Sequence, residues 1–63
     1  MTPCEKLRSY VHTYLKDAYI IDAGFAKWEV EGTIEQKAKI AKKAILLGMK
    51  VNFVSVYEMY VAY

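Results

Sequence analysis

Two short runs constrain this chain more than anything else in it: Thr2-Pro3-Cys4-Glu5 and Thr33-Ile34-Glu35-Gln36. Each places a threonine three residues ahead of a Glu or Gln. In that arrangement the hydroxyl accepts from a backbone N–H of the first helical turn while the longer side chain reaches back to the threonine's own N–H. Pro3 adds to the first signal, because the first helical position has no use for the N–H that proline lacks. Two helix starts are therefore expected. From the first, Cys4, Leu7, Val11, Tyr14, Ala18 and Ile21 recur at alternating spacings of three and four, one apolar stripe of a helix running to about residue 20 or 21. Gly24, in Asp22-Ala23-Gly24, supplies the left-handed residue that would close it. The second helix is expected to run to Leu47 and stop at Gly48. Ile34, Ala38, Ala41 and Ile45 form one stripe on it, and Ile40, Ala44 and Leu47 form another. So wide an apolar arc calls for two neighbours, with Ala38, Ala41 and Ala44 letting another helix come close. Lys39, Lys42 and Lys43 lie opposite as the one basic patch, with Lys37 nearer the apolar edge.

With 63 residues to work with, burial is scarce, since a domain of this size hides only about 60% of the surface its unfolded chain exposes. Composition offsets this: 56% of the residues are apolar, 14% are aromatic, and there are only three glycines and one proline, a balance unlike that of disordered chains. Cys4 is the sole cysteine, so no internal disulfide can staple the fold, and self-association is the remaining route to a larger core. The chain reads as a single domain over residues 1–63. Charge at Glu5, Lys6 and Arg8 without a long apolar run behind it predicts a cytoplasmic protein with no signal peptide and no membrane span. A net charge of +2 permits acidic partners but is low for a tight nucleic-acid binder.

Two segments are open to more than one reading. In Phe25 to Glu31, Ala26, Trp28 and Val30 alternate with Lys27, Glu29 and Glu31, the period of a half-buried strand. The reading preferred on sequence is an ordered connection in which Phe25 and Trp28 plug a gap between helices, because a lone strand has nothing to pair with. In Met49 to Tyr63 the β-branched content favours a strand, while Val54, Tyr57 and Val61 also fall at helical spacing behind Asn52 as a cap. We expect an all-α, three-helix domain. The alternative is an α/β domain in which Trp28's segment, the lysine-rich helix and the C-terminal segment form a right-handed β-α-β unit with the first helix packed on it.

Residues for catalysis are sparse. Cys4 sits in a first helical turn, where a thiol can be activated, yet it belongs to the core stripe; His12, the only histidine, has no second His or Cys at metal spacing,. Asp17 with Asp22 and Glu29 with Glu31 pair only along the chain, and no glycine-rich phosphate loop exists. The expectation is therefore no enzyme, no cofactor and no metal.

Around the second turn, Ala44, Leu47, Gly48, Met49, Val54 and Tyr57 resemble the spacing of helix-turn-helix DNA-binding domains over roughly residues 40 to 57. The resemblance implies a small DNA-binding regulator with Lys39, Lys42, Lys43, Lys50, Asn52 and Ser55 toward nucleic acid. The sequence departs from that pattern at Lys43, where a buried apolar residue is usual, and no Lys or Arg follows Lys50 to read bases,. The aromatic surplus points elsewhere: six tyrosines, Trp28 and two phenylalanines are more rings than one small core encloses with every hydroxyl satisfied. The first expectation is a small protein-binding regulator or adaptor that homodimerises and presents Trp28, Phe53, Tyr57, Tyr60, Val61 and Tyr63 to a protein partner. The helix-turn-helix-like regulator is the alternative.

Overall fold

The computed structural model describes residues 2–63. Helix α1 (Pro3–Tyr14) is followed by strands β1 (Tyr19–Gly24) and β2 (Lys27–Glu31), helix α2 (Ile34–Leu46), and strands β3 (Lys50–Phe53) and β4 (Met59–Ala62). Both helices start where the sequence places them, each with a complete capping box, Thr2 with Glu5 and Thr33 with Gln36. Gly48, at φ +82, follows α2 in the left-handed conformation that arrests a helix,.

The expected three-helix fold is overturned by a four-stranded antiparallel sheet in the order β1-β2-β4-β3. Because β2 and β3 each run antiparallel to β4, they are parallel to one another, and α2 carries the chain between them. This is a split β-α-β unit, with β4 inserted between its two parallel strands. Two parallel strands alone would both be unprotected edges; with β4 inserted between them and β1 paired to β2, only β1 and β3 are edges,.

Three element assignments change accordingly. The first helix ends at Tyr14 rather than near residue 20, although Ala18 and Ile21 continue its spacing; Leu15 and Ala18 enter the core through a turn closed by Ala18 N–H donating to the Leu15 carbonyl at 2.9 Å. Tyr19-Ile20-Ile21, with two β-branched residues and an aromatic one, then goes to a strand. The segment around Trp28 is β2, not a plug. The C-terminal segment is a hairpin, not a helix, and with β3 in place of a reader helix the helix-turn-helix geometry is absent.

One face of the sheet carries both helices. Val30, Met59 and Val61, all fully buried, join Leu7 and Val11 of α1 and Ile40 and Ala44 of α2 in one core, with Ile20, Trp28 and Val51 packed against it. Alternation sends Ile21, Glu29, Tyr60 and Asn52, which lie in one row across the four strands, to the opposite face,. On α2 the buried residues are Lys37, Ile40, Ala41 and Ala44. The other expected stripe is split: Ala41 is buried, whereas Ile34, Ala38 and Ile45 are exposed. No helix among the described residues is long and apolar enough to cross a membrane.

Candidate nucleic-acid interface

Lysines at 39, 42 and 43 share one side of α2 because three- and four-residue spacings return to the same side of a helix. The structure sets that side beside the last turns of α1. Together they form a cleft of about 630 Å³ lined by Tyr10, Tyr14, Leu15, Lys39, Lys42, Lys43 and Leu46. No acidic residue lines it. The Tyr10 and Tyr14 rings, one helical turn apart, meet with centroids 5.4 Å apart and planes tilted by 44°. The Lys43 ammonium lies 5.5 Å from the Tyr10 ring centroid, a cation–π arrangement that holds both side chains in place. Tyr14 is left 71% exposed.

The opposite, helix-free face of the sheet has a different character. Its Lys27 ammonium stands 4.7 Å over the Tyr60 ring, and the Tyr60 hydroxyl donates to a Glu58 carboxylate oxygen at 3.0 Å. That bond, with lesser contributions from burial and from the charges of Glu58, Glu29 and Glu31, raises the Tyr60 pKa. The Glu29 pKa is raised as well, chiefly by a side-chain hydrogen bond with Glu31. Three carboxylates, Glu29, Glu31 and Glu58, share this face with Lys27 and Lys50, whereas lysines are the only charged residues lining the α1/α2 cleft. The modest net charge is thus the sum of two unlike surfaces.

The residues singled out on sequence are dispersed. Lys39, Lys42 and Lys43 come together in the cleft, whereas Lys50 and Asn52 belong to β3 and alternate onto the helix-free face. Ser55 organises the β3–β4 loop, its hydroxyl oxygen accepting from the N–H groups of Tyr57 at 3.1 Å and Glu58 at 3.2 Å. Among the protein-binding candidates, Val61 is fully buried beneath the helices and Trp28 half-buried, its ring edge-on to Tyr63 at 5.2 Å. Tyr60 lies on the far face of the sheet, while Phe53 and Tyr57 are exposed near the loop. These six residues do not form one patch.

Sequence reasoning did not assign Tyr10, Tyr14 and Leu46 to a site. Tyr14 continues the spacing of the stripe that buries Cys4, Leu7 and Val11, yet as the last residue of α1 it is exposed. Cys4 is buried in the core, whereas His12 is exposed on α1. Among the described residues no group of three His, Cys, Asp or Glu could hold a metal ion. No protein-family model matches the chain, and neither the curated proteins nor the solved structures provide a match.

Proposed function

We propose that this is a binding protein for nucleic acid, engaging the phosphate backbone through Lys39, Lys42 and Lys43 rather than reading a duplex with a recognition helix. The observation that carries this reading is the cleft itself: three lysines, two tyrosines and no carboxylate on one side of the protein, whereas the helix-free face sets Glu29, Glu31 and Glu58 among Lys27 and Lys50. Phosphate contact by lysine is insensitive to sequence and releases counterions, so the affinity falls steeply with salt. The test is binding of a labelled oligonucleotide across a salt series by wild type and by Lys39→Gln and Lys42→Gln, two exposed positions whose replacement spares the core. Each substitution is expected to lower the salt slope by about 1. Unchanged slopes and affinities in both variants would remove the reading.

A second reading, a homodimeric protein-binding module, is favoured by the exposed apolar residues beside the β3 edge. Ile34, Phe53 and Val56 line a hollow of about 290 Å³ together with Lys37 and Ser55, and the partner proposed for it is a second copy of the chain. An edge strand can pair with its own symmetry mate antiparallel, which makes the contact self-complementary.

A further inference from the structure

We infer that the α1/α2 cleft takes single-stranded nucleic acid, with a base stacked on the outer face of Tyr14; this rests on the nucleic-acid reading above. The lysines alone would suit any polyanion, so the base-recognising element must come from the rings. Tyr10 is already engaged, with the Lys43 ammonium over its ring at 5.5 Å and the Tyr14 ring beside it. The 5.4 Å between ring centroids is too short to admit a base between them, which takes about 7 Å, twice the 3.4 Å stacking rise. Tyr14 differs: 71% exposed, it borders the same cleft as Lys39, Lys42 and Leu46. Its free face is a platform for an unpaired base, with Leu46 as an apolar neighbour and ammonium groups placed for the flanking phosphates. A paired base keeps its faces inside the duplex stack and cannot use that platform. Stacking on one ring is tolerant of base identity, so the expected ligand is a flexible strand of mixed sequence.

The experiment compares three labelled ligands of roughly 12 units each, within the usual site size of such grooves: oligothymidylate, its abasic counterpart of equal phosphate number, and a duplex. Each is titrated at low salt with wild type, Tyr14→Phe, Tyr14→Leu and the double variant Lys39→Gln/Lys42→Gln, after circular dichroism has verified folding. Oligothymidylate is expected to bind wild type about tenfold or more tightly than the abasic strand. Tyr14→Phe, which keeps the ring, preserves that ratio, and Tyr14→Leu, which keeps only apolar bulk, abolishes it. Equal binding of oligothymidylate and the abasic strand by wild type would overturn the stacking proposal. If the double lysine variant then weakened both ligands alike, the phosphate reading would survive without it. No binding of any ligand at low salt would overturn both, and a preference for duplex that Tyr14→Leu leaves intact would overturn the single-strand assignment.

Discussion

The ammonium of Lys37 donates to the backbone carbonyl oxygen of Tyr57 across 2.8 Å, tying the second turn of α2 to the β3–β4 loop. Lys37 is only 5% exposed, so a charge that would ordinarily seek water is held under the loop by one strong acceptor,. Lys37→Ala removes both the stem packing and the donor, and is expected to cost about 1–3 kcal/mol in chemical denaturation. Lys37→Met keeps the stem and withdraws the buried charge; its overall stability is expected to stay within about 1 kcal/mol of wild type. Amide exchange across residues 54–58 should nonetheless quicken in Lys37→Met, because the loop loses its tether to α2.

A different constraint acts at the tip of the first hairpin. Gly24 pairs with Lys27, so the loop is Phe25-Ala26, and these residues have φ of +55 and +57. A two-residue turn with both residues left-handed favours Asn-Gly, and side chains with a Cβ are strained there, by about 1–2 kcal/mol each. Phe25→Asn with Ala26→Gly is therefore expected to stabilise the protein by about 1 kcal/mol or more, raising Tm by roughly 4–8 °C. Thermal melts by circular dichroism check this; a lower Tm would mean that the exposed Phe25 ring contributes more than the strain removes.

Gly32 is restricted for the opposite reason, crowding. At φ +154 it stands just before the α2 cap, where an added Cβ would lie 2.8 Å from Gln36 Oε1 and 3.1 Å from the Ala18 Cβ. Gln36 Oε1 is the atom that accepts from the Thr33 N–H at 2.8 Å. Gly32→Ala is expected to dislodge that half of the capping box and cost about 1–2 kcal/mol. A stability equal to wild type would show that the cap can move aside.

How legible this fold is from its residues depends on which signals are local. The two capping boxes are complete within four residues and need no partner, so both helix starts and the end at Gly48 are readable. The end of α1 is not, because Leu15 to Ala18 contains neither Gly nor Pro and the apolar spacing runs on through Ile21. The β3–β4 hairpin hides for a similar reason. Its loop, Val54-Ser55-Val56-Tyr57-Glu58, lacks turn residues apart from Ser55, and its order comes from the Ser55 hydroxyl and from Val54 N–H donating to the Glu58 carbonyl at 3.0 Å. The register that inserts β4 between β2 and β3 is a long-range pairing with no local mark. The same division holds for the cleft: the lysine side of α2 is visible in its spacing, while the packing of α1 on α2 that sets Tyr10 and Tyr14 beside it is a long-range contact.

The helix-free face should respond to pH. A side-chain hydrogen bond with Glu31 is the main cause of the raised Glu29 pKa, so the folded protein favours the protonated carboxyl there more than the unfolded chain does. Its contribution to stability is fully present below the ordinary carboxylate range and is lost as pH rises through the raised value. Glu31→Gln removes the repulsion between the two acids. Across about pH 3 to 7, the Tm of wild type is expected to fall relative to that of Glu31→Gln, and parallel curves would contradict the arrangement.

Self-association, if it uses the β3 side, has its own signature. Sedimentation of wild type is expected to show a concentration-dependent dimer that Ile34→Glu and Phe53→Glu dissolve, both residues being exposed in the single chain, at 70% and 56%. Tyr60→Asp, on the far face of the sheet, should leave that dimer intact. A strictly monomeric wild type through the micromolar range and above would end the dimer reading.

A nuclear magnetic resonance titration of isotope-labelled protein with oligothymidylate at low salt tests nucleic-acid binding at the α1/α2 cleft directly. The perturbed amides and side chains are expected to gather at Tyr10, Tyr14 and residues 39–46 and to reverse on adding salt, while Ile21, Glu29, Asn52 and Tyr60 across the sheet stay unmoved. Perturbations centred on the sheet face or on Ile34, Phe53 and Val56, with the lysine cleft silent, would contradict it.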